Sequence, residues 1–204
     1  MIYLVSTSPR RKKLLREAGI RFRVLRPYYH EKDVPGLRPA ALVKRHALEK
    51  AKSAQPLVKN GTLLSADTIV YFKGGVIGKP RNIKEAVRIL SKLQGRWHAV
   101  YTGVALLKLS AGQIIKKKLF SEKTGVFIKK MSPADIYSYF RKISPLDKAG
   151  AYAIQSRQSS IVEKLKGSFS NAVGLPIEEL KRWVTPSFGP WFYLLIIYAR
   201  LNYS

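Results

Sequence analysis

The segment Leu63-Leu64-Ser65-Ala66-Asp67-Thr68-Ile69-Val70-Tyr71-Phe72 constrains this chain most. Its composition is that of a strand buried on both faces, because apolar residues do not alternate with polar ones but run nearly without a break. One carboxylate, Asp67, stands inside the run. A buried carboxylate without a partner is expensive, so Asp67 needs a metal, cations or hydrogen bonds. It is either a structural acceptor for a neighbouring turn or a functional acid, and the cationic segments elsewhere favour function.

Around this run the chain alternates strand-like and helix-like segments. Ile2 to Val5 reads as a strand and Pro9 to Ala18 as a helix, closed by Gly19 at C′. Phe22 to Leu25 reads as a strand. A loop from Pro27 to Pro39 and a helix from Ala40 to Ala54 follow. After Phe72 come a Gly74-Gly75 turn, a short strand reaching Gly78-Lys79-Pro80 and an amphipathic helix from Ile83 to Leu93. Strands are expected over His98 to Lys108 and Gln113 to Ile128, with a capped helix from Ser132-Pro133 to about Arg141. Asp147 to Gln155 reads as a loop entering a strand. Ser168 to Pro176 is polar and turn-rich, and Ile177 to Trp183 is a last short helix.

The segment Ser6-Thr7-Ser8-Pro9-Arg10-Arg11 joins the first strand to the first helix. Ser8 suits the N-cap and Pro9 the first helical position, where no N–H is needed. Free backbone N–H groups and the positive helix end then converge beside Arg10 and Arg11. That is either a phosphate site or an ordinary capped helix with solvated arginines. Lys50, Lys79 and Lys148 are further candidates for phosphate oxygens. Lys79 is framed by Gly78 and Pro80, and Lys148 is followed by the small residues Ala149, Gly150 and Ala151. Glu31 and Asp33 are either part of a divalent-ion site or solvated loop charges. Mg²⁺ needs only about one or two protein carboxylates when phosphates supply the other oxygens.

The charge balance limits partners. The chain carries 38 Lys+Arg against 12 Asp+Glu, a net +26, which favours anionic ligands. The surplus is spread along the chain, so adhesion to nucleic acid is expected as a side property. With no cysteine, disulfides, thiolate metal sites and a cysteine nucleophile are excluded. His30, His46 and His98 form no ligand spacing, and His98 reads as structural. Neither the Walker spacing nor the dinucleotide fingerprint occurs. No secretory signal is seen and no apolar run approaches the roughly 18 residues of a membrane span, so a cytoplasmic protein without membrane contact is expected. Residues 185–204 form an apolar extension containing Trp191 to Tyr198, set apart from a single domain over residues 1–184.

Several motifs together carry a resemblance. They are Ser6 to Arg11, Glu31, Lys50-Ala51, Ala66-Asp67-Thr68-Ile69-Val70, Gly78-Lys79-Pro80, Leu93-Gln94-Gly95 with His98 and Tyr101-Thr102-Gly103-Val104, Asp147 to Gln155, and Gly167-Ser168 to Asn171 with Val173-Gly174-Leu175-Pro176. In this order they resemble the Maf family of nucleoside triphosphate pyrophosphatases over about residues 2 to 183. The resemblance implies an α/β fold akin to the inosine triphosphate pyrophosphatases, with a long mixed sheet flanked by helices and a cleft between two lobes. It implies hydrolysis of a nucleoside triphosphate to the monophosphate and pyrophosphate with a divalent cation, Mg or Mn, and a homodimer. Asp67 matches the family's proton acceptor. Arg10, Thr68 and Gln155 match residues that mark the branch acting on dTTP and UTP. Two positions depart from the family pattern. Ser144 stands where a glutamate is usual, so ion affinity is either weaker or met by Glu31, and Ser156 stands where a glycine is usual.

The resulting expectation is a dTTP/UTP pyrophosphatase. Ser8, Arg10, Arg11, Lys50 and Lys79 meet the triphosphate, Asp67 and Glu31 hold metal, Asp67 activates water, and Thr68 with Gln155 reads the base. The rivals are a basic nucleic-acid-binding regulator on an inactive pyrophosphatase fold and a pyrophosphatase for modified nucleotides such as 7-methyl-GTP.

Overall fold

The computed structural model describes residues 1–30, 36–154 and 161–184. Glu31, Asp33, Gln155, Ser156 and the extension from Thr185 lie outside the described residues. Among the described residues seven strands form one mixed sheet: β1 (Ile2–Val5), β2 (Phe22–Leu25), β3 (Gly61–Phe72), β4 (Gly75–Ile77), β5 (Trp97–Ser110), β6 (Gln113–Ile128) and β7 (Val162–Lys166). The order is β2-β1-β3-β5-β6-β7, with β4 attached to β3. β1 is parallel to both β2 and β3, while the β3–β5, β5–β6, β6–β7 and β3–β4 pairs are antiparallel. Among the described residues six α-helices accompany the sheet: α1 (Pro9–Glu17), α2 (Pro39–Ser53), α3 (Ile83–Leu93), α4 (Pro133–Lys142), α5 (Phe169–Val173) and α6 (Ile177–Val184). This is the α/β architecture with a long mixed sheet that the sequence led us to expect.

The two faces of β3 bury different partners, as a period of two requires. Leu64 and Ala66 pack with Leu4, Leu14, Leu15, Leu175 and Leu180, under α1 and α6. Leu63 packs with Val5, Ala47, Ala51, Ala105 and Leu107, under α2. A further apolar cluster joins Val70 to Ala86, Leu90, Val100, Ile136 and Tyr152, under α3 and α4. Each fully buried leucine contributes about 1.5–3 kcal/mol by leaving water, which is why β3 is apolar on both sides.

The structure corrects three local expectations. Ser8 occupies the N-cap of α1, but its side chain makes no capping hydrogen bond. Within Asp147–Ile154 there is a 3-10 turn at Ala149–Ala151 and no strand; the strand is β7, farther along. Ser168–Pro176 is not only turns, because α5 sits inside it, capped by the Ser168 hydroxyl, which accepts from the Asn171 amide.

Candidate active site

β1 has four residues and β3 has twelve. The last β1–β3 register pair is Leu4–Leu64, and β4 joins the same edge only at Val70. On the other edge β5 pairs with β3 continuously from Gly61 to Tyr71. Between the end of β1 and the start of β4, the edge of β3 at residues 66–69 therefore lacks a neighbour among the described residues. A cavity of about 370 Å³ opens at this gap. Because the edge is bare, side chains from both faces of β3 reach it, and Asp67 and Thr68 both line it although they point to opposite faces. Ser6, Thr7, Ser8, Arg10 and Arg11 reach the same cavity from the end of β1 and the start of α1, Lys50 from α2, Lys79 from the turn after β4, and Asp147 and Lys148 from the loop after α4. The residues singled out at positions 8, 10, 11, 50, 67, 68, 79 and 148 thus share one cavity.

Asp67 lies on the α2 face and is 3% exposed. Its Oδ1 accepts a hydrogen bond from Lys50 Nζ at 2.6 Å, and Lys50 is itself 8% exposed. Helix α2 comes close enough for this pair because its inner face carries Ala47 and Ala51, and because β5 has glycine at position 103. A Cβ there would collide with the backbone of Val43 and Lys44. Oδ2 of Asp67 is buried and has no hydrogen-bond partner among the described residues. A buried carboxylate oxygen of that kind calls for a water, a ligand or an ion. Among the described residues no three His, Asp or Glu side chains converge. A divalent cation would fit the site in the manner of Mg²⁺, which needs only about one or two protein carboxylates when phosphates supply the other oxygens, and Asp67 is the carboxylate present.

Thr68, on the opposite face, belongs to a second network. Arg11 donates from Nη2 to Thr68 Oγ1 (3.0 Å), from Nη1 to Ser6 Oγ (3.2 Å) and from Nε to the Gly174 carbonyl (2.8 Å). The guanidinium thereby ties the end of β1, the middle of β3 and the turn after α5 into one wall. Gly174 has φ +129°, a conformation that side chains resist, and it sits against Thr68 Oγ1 and Arg11 Nε.

At the rim, Arg10 Nη1 donates to Asp147 Oδ2 at 3.1 Å across 137 residues of chain. Lys148 Nζ donates to Asp147 Oδ1 and to the Ser144 carbonyl, at 2.5 and 2.6 Å. Partial burial pushes the Asp147 carboxyl up, but its bond to Lys148 and the charges of Lys148 and Arg10 outweigh this and hold it below the usual range. Lys79 is exposed and makes no ion pair among the described residues.

Sequence reasoning quoted Thr102 and Gly103 only within a motif and gave them no role, and it overlooked Tyr29. Tyr29 lines the cavity and its hydroxyl is 2.9 Å from Nδ1 of His46. The structural reading of His98 fits its surroundings. It is 5% exposed, lies 2.6 Å from the Tyr152 hydroxyl, and burial pushes its pKa down to about 4 against a weaker upward pull from the Arg96 backbone.

A family model described as "Maf-like protein" matches residues 1–186. The chain is 41% identical over 180 residues to the dTTP/UTP pyrophosphatase of Methanosarcina barkeri, covering 88% of this chain and 90% of that protein. It is 40% identical over 186 residues to the dTTP/UTP pyrophosphatase of Carboxydothermus hydrogenoformans, covering 89% and 98%. The structure of the Staphylococcus aureus Ham1 protein superposes with a TM-score of 0.50 at 14% identity, over 90% of this chain and 97% of that one, a likeness of fold alone.

Proposed function

This chain belongs to the Maf-like protein family, and from that premise we propose that it hydrolyses dTTP and UTP to the nucleoside monophosphate and pyrophosphate. The observation that carries the reading is the gathering of Arg10, Lys50 and Lys79 around one buried carboxylate, Asp67, in a single cavity.

The triphosphate lies with its charge toward Arg10, Lys79 and the start of α1 at Ser8, where helix-end N–H groups favour anions. Arg11 holds the wall that the nucleotide rests on. Lys50 fixes Oδ1 of Asp67 and leaves Oδ2 for a water. Asp67 takes a proton from that water as its oxygen bonds to the α-phosphorus. The bond from that phosphorus to the oxygen bridging the α- and β-phosphates breaks, and pyrophosphate leaves with the bonding pair. Such a base contributes about 10²–10⁴-fold, and positioning and charge stabilisation supply most of the rest. Asp67, with Glu31 as second candidate, would hold a divalent cation, Mg or Mn, which would supply charge neutralisation on the phosphate oxygens. Thr68 and Gln155 read the pyrimidine edge.

A panel of nucleoside triphosphates with pyrophosphate detection tests the reading. A preference in kcat/KM for dTTP and UTP over purine triphosphates is expected, and equal rates on purines contradict it. The net charge of +26 also supports salt-sensitive adhesion to nucleic acid as a side property, without a dedicated site.

A further inference from the structure

We propose that the half of the sheet face left uncovered by α2 is a platform for a single-stranded nucleic acid, whose bases stack on Trp97, Tyr101 and Phe127 and whose phosphates meet the lysines beside them. The proposal is independent of the pyrophosphatase reading.

The helices divide unequally between the two faces of the sheet. α1 and α6 pack with Leu64, Ala66 and Val104, and α3, α4 and α5 with Val70, Val100 and Val126, all on one face. Among the described residues α2 alone packs on the other face, against Leu63, Ala105 and Leu107 and, near its start, against Ile69 and Tyr101. Past Tyr101 no described helix covers this face. Register lays three rows across it. Tyr101 and Lys123 form the row nearest α2. Tyr71, Ala99, Gly125 and Lys166 form the next, and Trp97, Phe127 and Lys164 the last.

The middle row is flat because Ala99 and Gly125 are small. The Trp97 ring lies over Gly125, where a Cβ would meet it at 3.4 Å, yet Trp97 is 48% exposed. Its ring centroid stands 5.6 Å from that of Phe127, and Tyr101 meets Tyr71 edge to face at 6.1 Å. Lys164 Nζ is 5.6 Å from the Phe127 ring and Lys123 Nζ 5.8 Å from the Tyr101 ring. Lys164 also meets Glu163 at 3.7 Å, an exposed pair that contributes little. The three rows themselves carry no carboxylate.

Cations set among aromatic rings on an open sheet suit unpaired bases, because every base has a π face and the linking backbone is an anion. The net charge of +26 draws any polyanion, and the rings are what add a site to it. A second copy of this chain fits poorly, since a two-fold interface presses Lys123, Lys164 and Lys166 toward the same lysines of the copy. An acidic peptide meets the lysines and leaves the rings without a stacking partner.

The test is fluorescence anisotropy of the full chain with a labelled oligo-dT of about 12 nucleotides. The same oligo-dT annealed to oligo-dA and labelled poly-glutamate serve as comparisons. Wild type is expected to bind the single strand more tightly than either. Trp97→Ala is expected to weaken oligo-dT at least about fivefold and to leave poly-glutamate unchanged. Lys123→Gln is expected to lower the slope of log affinity against log salt by about 0.7. Tm and UTP turnover should hold in both variants, because neither residue lines the cavity. If Trp97→Ala melts early, Trp97→Leu is read instead, which keeps apolar cover over Gly125 without a ring. The proposal is overturned by a wild type that does not bind oligo-dT, by equal affinity for oligo-dT and either comparison, or by unchanged oligo-dT affinity in the ring variant. A wild-type dimer in sedimentation that Trp97→Ala dissociates gives the face to a second copy and overturns it too. Absence of UTP turnover in wild type bears on the pyrophosphatase reading alone.

Discussion

Asp67 and Gly103 face one another across the β3–β5 ladder, and the side chain missing at 103 lets helix α2 settle where Lys50 reaches Asp67. The same tight approach lets the Ser65 hydroxyl donate to the Ala47 carbonyl, two residues before Asp67 on the same face. Gly103→Ala is expected to push α2 outward. Overpacking of this kind costs about 1–3 kcal/mol. Urea denaturation should register that loss together with a fall in kcat/KM, because the Lys50–Asp67 bond lengthens with the shift.

The buried ion pair itself has a clear signature. Lys50→Met leaves Asp67 buried without its cation, and about 3–5 kcal/mol of stability is expected to go. The double variant Lys50→Met/Asp67→Leu should recover most of it, since two apolar side chains replace the pair. A double-mutant cycle in urea measures the coupling, and simple additivity of the two single losses contradicts the pairing.

Lys79 and Arg11 should separate cleanly. Lys79→Ala removes an exposed cation with no ion pair among the described residues, so Tm should hold while KM for the triphosphate rises. Arg11→Ala breaks three hydrogen bonds to Gly174, Ser6 and Thr68. It should lower stability by at least about 2 kcal/mol as well as activity, because the bonds are charge-assisted and partly buried. Thermal melts beside steady-state kinetics distinguish the two.

His98 makes stability depend on pH. Its folded pKa of about 4 lies below its ordinary 6.5, so between those values the unfolded chain binds the proton and the folded one does not. Stability is complete above pH 6.5 and is lost as pH falls toward 4. The loss is on the order of 3 kcal/mol. His98→Gln should remove that slope, and denaturation midpoints across pH 4–7 for the two proteins provide the check.

Much of this was legible in the chain. α3 and β6 have the bounds expected, because an amphipathic period and a flanking turn mark them. Asp67 announced itself as a carboxylate in an apolar strand, and Arg10, Lys50 and Lys79 as cations in constrained settings. β7 and α5 were not legible. Val162-Glu163-Lys164-Leu165-Lys166 is a short, charged strand paired to β6, and Phe169–Val173 is Ser- and Asn-bearing sequence held helical by tertiary bonds such as Asn171 to Thr124. Arg11 was legible as a cation at a phosphate site, but its work as a tie depends on Gly174, 163 residues away. The role of Gly103 follows from β3–β5 register, which no local pattern encodes.

The most direct test of the catalytic assignment is pyrophosphate release from UTP by Asp67→Asn, a change that keeps the shape of the side chain and removes its basicity. A loss of at least about 10²-fold in kcat with the fold retained is the result expected. Turnover at the wild-type rate contradicts the assignment of Asp67 as the base.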